Sequence, residues 1–250
     1  MRFKDKVAIV TGCNTGIGEA IAMAFGREGA SVVLADCVTD NLEGHAKKIK
    51  ESGGRALPVK TDISSPDSVK EMAAKALGEF GRIDILVNNA AYTNISLKPF
   101  MNTEPHEWDG EINTTLRGTL NCCWAVLPQM AKQGYGRIVN ITTAGVKTGS
   151  QYLSLYGASK AAVAQFTKSL AMEVMGQGIL VNAVAPGMIK TGALNRVFGE
   201  DLLKTHLATQ GVSRLGESGE VAGVVLFLSS DEASYVTGQH WSACGGLSPQ

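Results

Sequence analysis

Tyr156 and Lys160 stand four positions apart in the stretch Tyr-Gly-Ala-Ser-Lys, inside a run with helical patterning. At that spacing two side chains share one helical face, about one turn apart. An ammonium beside a phenol favours the phenolate, and a phenolate is a base. A free tyrosine has a pKa of about 10, so work as a base near neutrality needs a shift of roughly three units, or about 4 kcal/mol. The pair is a candidate site of proton transfer. Taken alone, the same spacing also describes two neighbours on a solvated helix surface.

The first forty residues have the pattern of a nucleotide cradle. Val7-Ala-Ile-Val10 reads as a strand buried on both faces. Thr11-Gly12-Cys13-Asn14-Thr15-Gly16-Ile17-Gly18 follows at once, and then Ala20, Ile21, Ala24 and Phe25 recur at helical spacing up to Gly29. Strand, glycine turn and helix in that order form the first unit of a dinucleotide-binding fold. Gly12 permits the tight turn. Gly16 and Gly18 admit close approach of a phosphate to the helix N-terminus. A second strand-like run, Ser31-Val-Val-Leu-Ala-Asp36, ends in an acid. An acid about 20 residues past the glycine turn can accept from the ribose 2′-hydroxyl of NAD and would repel the 2′-phosphate of NADP. Cys37 follows, with no adjacent Arg or Lys to hold a phosphate.

Together with Asn88-Asn89-Ala90, these motifs give the chain a resemblance to the short-chain dehydrogenase/reductase family, in order and spacing and over essentially all 250 residues. The resemblance implies that Gly12, Asn14, Thr15, Gly16, Ile17, Gly18 and Asp36 hold the dinucleotide. It also implies that Asp62 and Ile63 meet the adenine, that Asn89 and Ala90 lie beside the adenosine ribose, and that Pro186, Gly187, Ile189 and Thr191 border the nicotinamide. It makes Tyr156 the acid/base. Lys160 is implied to bind the nicotinamide ribose and lower the tyrosine pKa, and Asn113 to hold a water that relays protons to Lys160. The family's catalytic serine is replaced here by Thr143, which keeps a hydroxyl donor but adds a methyl and stiffens χ1. Ala91 and Cys244 also depart from the family pattern, at positions that no hydride transfer requires.

The elements needed to position such a site are present. Strand-like runs fall at 7–11, 31–36, 56–60, 83–88, 136–142, 178–184 and 238–243; helical patterns fill 17–29, 41–52, 66–80, 104–133, 154–176 and 217–230. Alternation of this kind predicts an α/β fold: one Rossmann-type, doubly wound parallel sheet of about seven strands with helices on both faces, and a single domain over 1–250. Gly12, Asp36, Asp62, Asn88 and Thr143 all end or follow strands, so they would gather at the carboxyl edge where such sheets bind ligands.

Composition bounds the partners. With 23 basic and 23 acidic residues the chain has no net charge to attract nucleic acid or an anionic membrane. The opening Met1-Arg-Phe-Lys-Asp-Lys does not suit a signal peptide, and no apolar run approaches the ~18 residues of a membrane span, so a cytoplasmic enzyme is expected. Five cysteines without a C-x-x-C pair argue against a disulfide framework, and Cys122-Cys123 read as core. Four scattered histidines give no metal spacing. Trp108 and Trp124 read as packing residues on one long helix.

Tyr92, Gly145, Val146, Gln151, Met188 and Phe198 are the expected wall of a substrate pocket, under a lid near 187–212. Lys98, Lys147 and Arg196 read as solvated charges, with contact to an anionic acyl-CoA as the alternative. The expected activity is NAD-dependent interconversion of a small-molecule secondary alcohol and its ketone. The alternatives are a 3-oxoacyl thioester reductase and, from another class, a dinucleotide-binding sensor or scaffold impaired in catalysis. The resemblance further implies a homotetramer or homodimer paired through the helices near 104–133 and 154–176.

Overall fold

Seven short runs of β-branched and apolar residues form strands: β1 (Val7–Thr11), β2 (Ser31–Asp36), β3 (Arg55–Lys60), β4 (Ile85–Asn88), β5 (Gly136–Ile141), β6 (Ile179–Pro186) and β7 (His240–Ala243). The computed structural model describes residues 1–95, 97–197, 207 and 211–248. All strand pairs are parallel, and the sheet order is β3-β2-β1-β4-β5-β6-β7. β1 and β4 therefore mark the point where the winding reverses. Val10 is level with Leu34 on one side and Val87 on the other, which brings Thr11, Asp36 and Asn88 to one edge. That edge is where ligands bind in sheets of this winding.

Each face of the sheet is covered because strand side chains alternate. Ala8 and Val10 pack with α1 (Gly16–Arg27), α2 (Leu42–Glu51) and a late helix, Ser218–Ser229. Val7 and Ile9 pack with α3 (Pro66–Phe80) and with two longer helices, Gly118–Gln133 and Ser154–Val174. Local signals start and stop α3 as its sequence predicts. Ser65 caps α3 ahead of Pro66 by accepting from Ser68 N, and Gly81 ends it in the left-handed conformation.

The predicted helix over 104–133 is instead interrupted. A short turn at Pro105–Glu107 leads into α4 (Trp108–Glu111), then a π-helical turn over Ile112–Arg117, then α5 (Gly118–Gln133). The Gly118 N–H reaches back five residues to the Asn113 carbonyl. The wider turn inserts an extra residue and rotates the succeeding turns of the helix, and such bulges recur at functional sites. A Cβ on Gly118 would lie 2.5 Å from Ile63 Cδ1, so a larger residue there would force the Ile63 side chain to shift. Trp124 departs from the expected packing role: it is exposed, with Lys70 Nζ 5.1 Å from its ring centroid. Cys122 and Cys123 are buried in the core as read. A short helix not foreseen, α6 (Gly145–Thr148), precedes α7 (Ser154–Val174), which carries Tyr156 and Lys160. Gly192–Val197 forms α8, and Ser218–Ser229 is α9.

A buried polar chain fixes α7 on the sheet. Asn88 Nδ2 donates to Asn140 Oδ1 at 2.8 Å, and Asn140 Nδ2 donates to Thr167 Oγ1 at 2.9 Å. The Thr167 hydroxyl in turn donates to Val163 O at 2.8 Å. These bonds tie β4, β5 and the middle of α7 together, two turns beyond Lys160. Asn140→Ala would remove both Asn140 bonds while Asn88 Nδ2 keeps Cys123 Sγ and Thr167 keeps Val163 O, and is expected to lower the unfolding free energy by about 1–2 kcal/mol in a denaturant titration. An unchanged midpoint would show that this chain does not hold the helix.

Candidate active site

The glycine turn is braced from β4. Thr11 Oγ1 accepts from both Asn89 N and Ala90 N at 3.1 Å, while Asn89 Nδ2 donates to Thr11 O and Gly12 O at 3.1 and 2.8 Å. Gly12 has φ +66°, and a Cβ on it would sit 2.6 Å from Ala90 Cα, so only glycine fits. Gly16 also has φ +66°, and a Cβ there would come within 3.3 Å of Thr191 Cγ2. The loop after β6 thus stands directly over the start of α1. No side chain caps that helix, since Thr15 occupies the N-cap without a side-chain bond. Its first N–H groups face the same edge as Gly16 and Thr191, a setting suited to an anion.

Asp36 is the next fixed charge. Its Oδ2 accepts from Asn14 N at 2.9 Å and its Oδ1 from Val38 N at 3.0 Å. Asn14 is itself a brace: its Oδ1 accepts from Asn41 N, and its carbonyl meets Asn41 Nδ2 and His45 Nε2. Asp62 lies at the same edge, exposed, accepting from Ser64 N and Oγ. Ile63 is buried against Gly118. Pro186 ends β6, and Gly187 donates from its N–H to Ala243 O where a Cβ would strike Cys244 Cα at 2.7 Å. Ile189 is buried and bridges to Gly216.

Tyr156 and Lys160 share one face of α7, as their spacing requires. Lys160 Nζ is buried and donates to Ile141 O, the last carbonyl of β5, at 2.7 Å. Burial pulls the ammonium down to about 8, with the Glu111 carboxylate acting in the opposite sense. The expectation that Lys160 lowers the tyrosine pKa is not met without a ligand. Burial pushes the Tyr156 phenol up to about 12; a side-chain hydrogen bond with Thr143 works against that, and the charge of Glu111 adds to it. Thr143 is partly buried, and its Oγ1 accepts from Gly145 N at 3.4 Å.

Asn113 does not take the place expected of it. The face turned toward α7 carries Glu111 and Thr115, both buried, one turn apart. Asn113 falls between them, about half a turn round the helix axis. Its side chain is partly buried and makes no hydrogen bond among the described residues. Sequence reasoning missed Glu111, although the spacing of Glu111, Thr115, Thr119, Cys122 and Val126 marks it as part of the buried stripe.

A cavity of about 330 Å³ opens beside Tyr156 and Glu111, walled by Tyr92, Phe100, Trp108 and Leu153. The Tyr92 ring lies on Gly110, where a Cβ would be 2.6 Å from Tyr92 Cε2. Tyr152, with a positive φ of 64°, also lines it. Of the expected pocket residues among those described, only Tyr92 borders this space. Gly145 and Val146 lie on α6, Gln151 is exposed, and Met188 lines a second cavity of about 310 Å³ with Ile189 and Cys244. Phe198 and much of the expected lid lie outside the described residues. Lys98 is ion-paired with Glu107 at 2.7 Å rather than solvated, and Lys147 donates to His240 O and Ser242 Oγ.

Comparison with known proteins decides the family. A family model described as enoyl-(acyl carrier protein) reductase matches residues 12–248. The 3-oxoacyl-[acyl-carrier-protein] reductase FabG of Thermotoga maritima is 40% identical over 247 residues, covering 99% of both chains. An uncharacterized oxidoreductase of Mycobacterium tuberculosis is 42% identical over 98% of both. The chain belongs to the short-chain dehydrogenase/reductase family.

Solved members share the whole architecture. A 7α-hydroxysteroid dehydrogenase complexed with NADH and 7-oxo glycochenodeoxycholic acid superposes with a TM-score of 0.94 at 32% identity, covering 99% of this chain and 96% of that one. An actinorhodin polyketide ketoreductase variant with NADPH gives 0.92 at 32% identity over 98% of both. As a short-chain dehydrogenase/reductase with its tyrosine and lysine in place, the protein is an oxidoreductase acting at a CH–OH or ketone centre. A scaffold impaired in catalysis is the poorer description. In the ligand-free protein Tyr156 is expected to ionise near pH 12. The tyrosinate absorbance lost on Tyr156→Phe should therefore appear only in strong alkali; its appearance near pH 8 would show that Lys160 tunes the phenol unaided.

Proposed function

We propose that this protein interconverts a secondary alcohol and a ketone by hydride transfer, with NAD(H) as its dinucleotide. The residues fit that group. An uncapped helix N-terminus beside Gly16 suits a pyrophosphate, and Asp36, held by two backbone N–H groups, keeps lone pairs free for ribose hydroxyls. Asp36 carries the preference for NAD over NADP, because a 2′-phosphate would meet a fixed negative charge. Asp62, Ala90 and Thr191 would flank the same ligand. When bound, the dinucleotide supplies the hydride donor or acceptor.

The chain's own groups handle position and proton. The Thr143 hydroxyl donates to the substrate oxygen, and its restricted rotamer fixes the direction of that bond. Tyr156 Oη takes the hydroxyl proton in oxidation and returns it in reduction. Lys160, anchored on Ile141 O, holds a positive charge close by. The cavity beside Tyr156 would hold the substrate with its reacting carbon in place, which is where proximity contributes most to rate.

A second reading is reduction of a 3-oxoacyl thioester. It is favoured by full-length identity to proteins named 3-oxoacyl-[acyl-carrier-protein] reductase. Turnover of acetoacetyl-CoA faster than of simple cyclic and linear ketones would select it. Assembly as a homodimer or homotetramer belongs to the same proposal, since α5 and α7 expose Leu120, Trp124 and Met172. So do a single domain and a cytoplasmic setting; no described helix is long and apolar enough to cross a membrane.

Tyr156→Phe should bind NADH as the wild type does and lose at least about 100-fold in kcat; retention of a tenth of the activity would move the acid/base role elsewhere. Asp36→Ala should reduce the ratio of kcat/KM for NAD to that for NADP by about tenfold or more, the size of one lost ribose interaction plus relieved repulsion. An unchanged ratio would remove the carboxylate from cofactor selection.

A further inference from the structure

A buried acid stands beside Tyr156 and Lys160 with no task in the alcohol–ketone chemistry. Glu111 ends α4, is only 3% exposed, and has its Oε1 without a hydrogen-bond partner among the described residues. Such an atom costs stability unless something uses it. Its surroundings are defined. Thr115, one turn on, accepts from Tyr92 N at 3.2 Å through Oγ1, which leaves its own hydrogen to donate toward Glu111. Tyr156 and Lys160 face it from α7 and Tyr92 from the loop after β4; across the shared cavity stand His106 and the Lys98–Glu107 ion pair. Glu111 and Thr115, four residues apart, share the buried side of this helix.

We propose that Glu111 is a proton-positioning residue: its carboxyl group exchanges a proton with the Tyr156–Lys160 pair and with water in the adjoining cavity. The inference rests on the alcohol–ketone reading. In oxidation the substrate O–H bond breaks and Tyr156 Oη gains that proton. To reset the site the Tyr156 O–H bond breaks, directly or by way of Lys160 Nζ, and an O–H bond forms on the Glu111 carboxylate. That O–H then breaks to a cavity water. Reduction runs the same steps backwards, and no electrons move in any of them. Burial raises the Glu111 carboxyl above the ordinary glutamate value of 4.5, with the Thr115 hydroxyl and Lys160 acting downward. A carboxyl raised in this way can hold and release a proton closer to neutral pH.

Glu111→Gln keeps the shape and removes the titration. In the dinucleotide-free protein the Tyr156 tyrosinate midpoint, isolated by difference from the Tyr156→Phe background, should fall by about one unit once the neighbouring negative charge is gone. In turnover of a ketone panel with NADH, kcat should drop about tenfold with KM within about twofold, and the pH–kcat profile should change its acid limb. Formate should recover much of the kcat of Glu111→Ala by entering the cavity. An unchanged pH–kcat profile in Glu111→Gln overturns the proposal. If the wild type turns over no carbonyl compound, the alcohol–ketone reading fails, and the tyrosinate titration alone then decides whether Glu111 governs the pair: an unmoved midpoint overturns it. Should the variants not fold, carboxyl NMR of Glu111 in the wild type decides instead: a midpoint above 4.5 supports the role, and one at or below 4.5 is incompatible with it.

Discussion

The site is organised around one buried ammonium. Taking a charged amine out of water costs several kcal/mol unless it is met by good partners. Lys160 is met by the Ile141 carbonyl at 2.7 Å and by the field of Glu111. The first partner pins α7 to the carboxyl end of β5; the second draws the helix before the π turn against α7. Tyr156, a turn earlier on α7, has its place decided by these two demands. The burial that holds the pair also opposes ionisation of the phenol, which is pushed up to about 12 while the amine is pulled down to about 8. Without a ligand the pair is positioned but not yet tuned, and the two nearby carbonyl and carboxyl oxygens offer no help to the phenolate.

How much of this was readable in advance followed from the range of each interaction. The glycine turn, the acid ending β2 and the Tyr156–Lys160 spacing are local, so residue type and separation were enough to place them. All seven strands fell where their apolar runs begin and end to within a few residues, because strands buried on both faces leave little room for polar residues. The break in the helix over 104–133 was not readable. Gly118, at the end of the break, packs under Ile63, a contact between residues far apart in sequence. Asn113, between Glu111 and Thr115, is only half-buried. Glu111 and Thr115 share the buried side of this helix by ordinary i, i+4 spacing. Glu111 itself resembles any helical surface acid until its position on the buried stripe is set against the apolar residues that come after it.

The cradle shows a similar division between motif and support. Gly12 and Gly16 are recognisable from spacing, yet their conformation is secured by Thr11 and Asn89, which come from different strands and lock the turn to the end of β4. Asn14, an expected ligand contact, also spends its side chain and carbonyl on Asn41 and His45. A polar residue in a glycine turn has two uses, facing the ligand or stiffening the turn, and only the partners around it distinguish them. Here stiffening also benefits Asp36, whose carboxylate is oriented through the Asn14 N–H.

Substrate choice lies in a different part of the molecule from the chemistry. Proteins whose names specify a hydroxysteroid or a polyketide superpose on this chain with TM-scores of 0.92 or more at about a third identity. A backbone so widely shared cannot encode which ketone is bound. The variable information has to sit on the segments that rise from the carboxyl edge after β4, β5 and β6. In this chain the first two supply a compact, aromatic-walled space in which Tyr92, Phe100, Trp108 and Tyr152 surround the approach to Tyr156. Lys98, on the wall of this space, is engaged by Glu107, and Lys147, outside it, by the β7 strand. That space also carries Asn94, Thr103, His106 and Ser154 beside Glu111 and the Lys98–Glu107 pair, so shape and polar contacts together would select what it holds.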